Sequence, residues 1–102
     1  MKNTRSKREE IKSITRVSDG IEYHYTLFSS TSERVASFGI PLYSIEVMMI
    51  KDGEESKSSI NDVFADIGKA IAFMTMLADG LATPIDLHYI LEDMITVKEV
   101  KP

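Results

Sequence analysis

Thr83-Pro-Ile-Asp-Leu-His-Tyr-Ile-Leu-Glu-Asp-Met-Ile95 spells out a complete helix with its own start signal, and the fold follows from asking what that helix is laid upon. Thr83 offers a side-chain oxygen to a free amide of the first turn. Pro84 has the φ that the first helical position wants, and Asp86 places negative charge where the helix dipole favours it. Around the axis Leu87, Ile90, Leu91, Met94 and Ile95 fall on one side, with Asp86, Tyr89 and Asp93 roughly opposite. This is the pattern of a helix resting on a core, and it carries no chemistry of its own.

A second helix precedes it. Asp66 is a capping residue, Ile67, Ala70, Ile71, Met74, Leu77 and Ala78 recur at helical spacing, and Gly80 is the expected stop after Asp79. Phe73 and Met76 lie off that stripe.

Upstream of residue 65 the period changes from helical to alternating. Ile21, Tyr23, Tyr25 and Leu27 alternate with Glu22, His24 and Thr26, which predicts a strand with one buried face and His24 on the wet side. Ser18-Asp19-Gly20 joins it to a preceding strand over Ile11–Val17, because Asp-Gly readily takes positive φ. In that strand Ile11, Ser13, Thr15 and Val17 share one face and Lys12, Ile14 and Arg16 the other. Ser29 to Glu33 reads as a polar loop, since a serine nucleophile would need an adjacent base and an oxyanion site.

Gly39-Ile40-Pro41 then interrupts the stretch from Val35 to Ile50, which predicts a bulge or edge kink. Beyond it, Leu42 to Ile50 is the central strand, with Tyr43, Ile45, Val47 and Met49 on one face and Leu42, Met48 and Ile50 on the other. Asp52-Gly53 makes a second hairpin, and Ser56 to Phe64 is a more polar edge strand. Strands before helices give an α+β fold: an antiparallel meander of three to four strands followed by two helices packed on one face. The expected organisation is a flexible basic N-terminal arm over 1–10, a single domain over 11–96 and a short tail over 97–102.

Composition narrows the function classes. A chain of 102 residues, 43% hydrophobic and 27% charged, can bury one core without staples, and has no room for a second domain. It has no cysteine, which removes disulfide frameworks, thiol nucleophiles and cysteine-ligated zinc. Met1 to Lys12 has no apolar run and Ala70 to Ala78 is too short to span a bilayer, so no signal peptide, membrane anchor or membrane partner is expected and the cytoplasm is the default. Lys2, Arg5, Lys7 and Arg8 concentrate four positive charges in the first eight residues, leaving −8 on the remainder of a chain whose net charge is −4. An acidic body repels phosphate backbones, so any nucleic-acid binding would have to reside in the arm.

Tyr43-Ser44-Ile45-Glu46-Val47, Asp62-Val63, and Thr83-Pro84-Ile85-Asp86-Leu87 with Ile90, Glu92 and Asp93 resemble a family of small bacterial proteins catalogued as a domain of unknown function. The likeness covers about Tyr43 to Ile95. The chain departs from the usual pattern at Ser44, where glycine is common, and near Phe64, where serine or threonine is. The resemblance implies a small intracellular single-domain protein and assigns no activity, ligand or catalytic residue.

The remaining constellations favour structure over chemistry. His88 and Glu92, four apart on a helix, suit one surface pair better than a metal site, which needs three or four ligands. Glu92-Asp93 and Glu54-Glu55 diverge as sequence neighbours and make no acid/base dyad, and the scattered glycines form no phosphate-binding loop. No catalytic, cofactor-binding or metal-ligating residue is assigned, and no cofactor is expected. The one signal left is apolar surface: Met48 on the second face of the central strand, Phe73 and Met76 off the main stripe of their helix, and His88 with Glu92 on the flank of the last helix. These are the candidate partner-binding residues, for a protein partner or a homodimer. The function expected is a non-enzymatic cytoplasmic protein-interaction or regulatory module, the alternative being a small-molecule binder or small enzyme with a pocket near His88 or His24.

Overall fold

A computed structural model describes the backbone over 7–31 and 41–100 and the side chains over 8–30 and 41–93. Four strands, β1 (Lys7–Ser18), β2 (Ile21–Thr31), β3 (Leu42–Lys51) and β4 (Glu54–Phe64), precede two helices, α1 (Ile67–Asp79) and α2 (Pro84–Val100). The strands form one antiparallel sheet in the order β1-β2-β3-β4. The fold is the expected α+β meander with both helices on one face.

Two turns set the register. Asp19 and Gly20 have φ of 53° and 78°, and Asp52 and Gly53 have 54° and 80°. Positive φ at both central residues is the type I′ geometry, whose twist matches that of the flanking strands. The first turn pairs Ser18 with Ile21 and therefore Thr15 with His24; the second pairs Lys51 with Glu54 and therefore Met48 with Lys57.

Alternation then decides what is buried. Tyr23, Tyr25 and Leu27 of β2, Ile45 and Val47 of β3 and Ile60 of β4 turn to the helices and meet Ala70, Phe73, Met74, Leu77 and Ala78 of α1 and Leu87 of α2. The Tyr23 and Tyr25 rings lie parallel, 6.5 Å apart. α1 touches all four strands, β2 most closely, and α2 lies over β3 and β4.

Two side chains from the sheet hook the end of α1 and the link to α2. Tyr25, fully buried, donates its hydroxyl to the Ala82 carbonyl at 2.8 Å, and Arg16 donates to the Ala78 carbonyl at 2.9 Å. Helix ends leave carbonyls without partners, and a buried carbonyl without a donor is costly, so these bonds hold the turn in place. The turn itself is a Schellman motif: the Leu81 amide donates to the Ala78 carbonyl and the Ala82 amide to the Leu77 carbonyl. Its left-handed residue is Leu81, with φ of 51°, while Gly80 sits at −94°. Gly80 thus marks the end of α1 without being the residue that turns the chain.

The expected boundaries shift in four places. β1 starts at Lys7, so Lys7 to Glu10 of the expected arm pair with Phe28 to Thr31. Ser29, Ser30 and Thr31, expected in a loop, belong to β2, because β1 supplies ladder partners to all three and β3 to Ser29 and Ser30. β4 begins at Glu54, two residues before Ser56. α2 continues through Val100 into the expected tail, there being no glycine or proline between Ile95 and Pro102 to stop it. Gly39 and Ile40 of the expected kink, and the side chains of Met94 and Ile95, lie outside the described residues.

Candidate functional site

Register fixes the open face of the sheet row by row. Val17, Glu22, Ile50 and Glu55 share one row; Thr15, His24, Met48 and Lys57 the next; Ser13, Thr26, Glu46 and Ser59 the third. Polar groups dominate these rows, as on the solvated side of an antiparallel sheet. Met48 is half-buried between His24 and Lys57, and Glu46 pairs with Lys57 at 3.6 Å. Met48 and Ile50 stand in neighbouring rows of β3's second face, each flanked on both adjoining strands by hydrophilic side chains.

His24 is the chemically richest group on that face. Its Nε2 lies 3.1 Å from Glu22 Oε1 and its Nδ1 3.4 Å from Thr15 Oγ1. An ionised carboxylate can only accept, so Nε2 donates to Glu22, and in the neutral ring Nδ1 then accepts from the Thr15 hydroxyl. Hydroxyl, imidazole and carboxylate are in sequence, yet the neighbouring amides lie in the plane of the sheet and none points at a reacting oxygen above it. The arrangement orients the ring and supplies no oxyanion site. Both contacts were legible: Glu22 and His24 share the wet face of one strand, and the Asp19-Gly20 turn dictates that Thr15 opposes His24.

A second polar cluster was missed by sequence reading. Between Ile60 and Phe64, β4 takes four steps while β3 takes two from Ile45 to Tyr43, so β4 bulges around Asp62. Asp62 has φ of 54°; its amide donates to Ser44 Oγ at 2.8 Å and its Oδ1 accepts from Ser30 Oγ at 3.0 Å. Ser44 is buried, and its Oγ has that amide as donor. Asn61-Asp62 inside a strand pattern is the only sequence signal for the bulge.

The five candidate partner-binding residues do not converge. Met48 faces away from the helices, Met76 is 46% exposed on α1, and His88 and Glu92 are exposed on α2. Phe73 corrects an expectation: at 4% exposure it is core, its ring 5.4 Å from that of Phe64, so it lines no surface. The buried arc of α1 is rotated toward Phe73, which leaves Ile67 on the exposed side instead. Around His88 and Glu92 the structure adds two residues that sequence reading left aside, Ile85 at 74% and Tyr89 at 66% exposure. They are four apart and therefore adjacent on the helix surface. Opposite them Pro84 and Leu87 are buried and Ile90 and Leu91 half-buried, which fixes the outward direction.

The start of α2 is held by a reciprocal capping box. Thr83 Oγ1 accepts from the Asp86 amide at 3.3 Å, while Asp86 Oδ2 accepts from the Thr83 amide and hydroxyl, both at 3.0 Å. Thr-x-x-Asp was visible in the sequence; the return bond from Asp86 is the added detail.

Among the described residues no three histidine or acidic side chains are grouped to hold a metal ion, and no helix is long and apolar enough to cross a membrane. No curated protein and no solved structure matches the chain. A family model matches residues 5–97, extending the likeness seen over Tyr43 to Ile95 to nearly the whole sequence. The chain belongs to a family of unknown function, DUF6514.

Proposed function

We propose that this protein is a non-enzymatic cytoplasmic protein-interaction module that docks a partner on the outer face of α2. One observation carries the reading: Ile85 and Tyr89, two large side chains more than half exposed, stand side by side on a helix whose opposite stripe already packs the core. Scattered single hydrophobics are ordinary on surfaces, but an adjacent pair that includes tyrosine has the composition of an interface centre. His88 and Glu92 flank the pair. The cysteine-free composition is compatible with a reducing compartment and so with the cytoplasmic assignment. The enzyme reading has only the His24 hydrogen bonds behind it, and these lack an electrophile-binding partner.

The test is site-specific photo-crosslinking in cells of the native host, with the crosslinker at Tyr89 or at Thr26 on the open sheet face. A discrete adduct from position 89 that disappears with Ile85→Asp is expected. Adducts from position 26 alone would move the docking surface to the sheet and refute the assignment. Because Ile85 is exposed, Ile85→Asp should melt close to the parent.

A further inference from the structure

Building on the docking surface just proposed, we infer that its occupant is a basic amphipathic helix of another protein, not a second copy of this chain. The outer face of α2 surrounds Ile85 and Tyr89 with Asp86, Glu92 and Asp93, and α2 has no lysine or arginine before Lys98. Two copies meeting through this face would set carboxylates against carboxylates around the apolar contact, a juxtaposition that selects against self-pairing. A partner with lysine or arginine beside its apolar stripe meets both features at once. The surrounding molecule reinforces this, since everything after residue 8 carries −8 and attracts cationic segments over a longer range.

Geometry selects a helix over an extended peptide. Ile85 and Tyr89 form a ridge at i, i+4 on a convex helical surface, and such ridges pack into the grooves between side chains of a second helix. Extended peptides gain affinity from main-chain bonds to a sheet edge, and the α2 surface has no such edge to offer.

Three synthetic peptides of about 18 residues, long enough to be helical, separate the possibilities by amide chemical-shift titration of the full chain. One has a leucine stripe with a lysine face, one the same stripe with glutamates, and one scrambles the leucines and lysines. The leucine/lysine helix should shift the amides around Ile85 and Tyr89 saturably, with an apparent Kd that weakens several-fold between about 50 and about 300 mM salt. Tyr89→Ser should weaken it about tenfold, as loss of an interface anchor does. Glu92→Gln with Asp93→Asn should flatten the salt dependence while leaving the melting temperature near the parent's.

Equal binding of the glutamate helix or the scrambled peptide would overturn the inference, as would shifts confined to the sheet. Sedimentation of the chain alone gives a further check: a dimer dissociated by Tyr89→Ser would replace the basic helix with a second copy. If crosslinking from Tyr89 yields a heterologous adduct while the leucine/lysine helix fails to bind, the docking surface stands and this partner chemistry falls.

Discussion

Four non-glycine residues among those described hold positive φ: Asp19, Asp52, Asp62 and Leu81. The first two are followed by glycines at φ of 78° and 80° with open space where a Cβ would stand. Any cost of Gly20→Ala or Gly53→Ala is therefore conformational, about 1 to 2 kcal/mol each. Gly80 behaves oppositely. Its φ of −94° suits any residue and an added Cβ would meet the Met76 carbonyl at an ordinary 3.6 Å, so Gly80→Ala should stabilise by about 0.4 to 1 kcal/mol. Urea unfolding of the three variants checks both signs.

Tyr25 makes a second residue-scale prediction. Burial, with the neighbouring Tyr23 adding to it, pushes its phenol up to about 12 from an ordinary 10.0. A pKa raised in the folded state means that the neutral phenol stabilises the fold below pH 10, and that this contribution drains away as pH rises toward 12. Tyr25→Phe leaves the Ala82 carbonyl without its donor and should cost about 1 to 3 kcal/mol near neutral pH. The gap between parent and variant should narrow by about 1 kcal/mol near pH 11. A gap that widens with pH would mean the phenol is ionised in the folded protein.

At the scale of elements, α2 depends on one deep contact and one cap. Leu87 is fully buried whereas Leu91 is half-buried, so Leu87→Ala should cost about 2 to 5 kcal/mol and Leu91→Ala less. Thr83→Ala removes the hydroxyl that accepts from the Asp86 amide and donates to its carboxylate, keeps the bond from the residue 83 amide, and should cost about 1 kcal/mol. Thermal melting ranks the three, and equal losses at 87 and 91 would contradict the packing of α2. β1 adds a kinked edge: Glu10 opposes Phe28 and Lys12 opposes Leu27, leaving Ile11 as the extra residue of a bulge. A bulge beside charged residues is how an edge strand discourages pairing with other chains. Beyond it the Arg8 guanidinium lies 3.9 Å from the centre of the Phe28 ring. Deleting residues 1–10 removes that contact, so the amides of Phe28 to Ser30 should shift while those around Leu87 stay in place.

At the scale of the molecule, the helix–sheet core and the open face of the sheet predict opposite responses to charge. Phe73→Asp would bury a carboxylate against Phe64 and should unfold the protein, whereas Met48→Asp is placed among polar neighbours and should be tolerated with a loss of about 1 kcal/mol. Circular dichroism melts distinguish the pair. A folded Phe73→Asp would return that side chain to the surface and remake the core.

Period and turn chemistry determined the fold class from sequence alone. Alternation in Ile21 to Leu27 and helical spacing in Leu87 to Leu91 are local properties, and Asp-Gly dictates two hairpins wherever the strands lie. Those same turns fix which residues share a row, so the His24 contacts were within reach. Tertiary structure alone decided the rest. Whether Phe73 or Ile67 is buried depends on the rotation of α1 about its axis, which the Phe64 ring sets from a different element. Whether Ser29 to Thr31 is loop or strand depends on partners far off in sequence, and the bulge at Asp62 on bonds to Ser30 and Ser44 across the sheet. Periodicity already set Tyr89 opposite the Leu87 stripe, but that Ile85 stands beside it and that both stay largely uncovered is decided by how the neighbouring elements pack around α2.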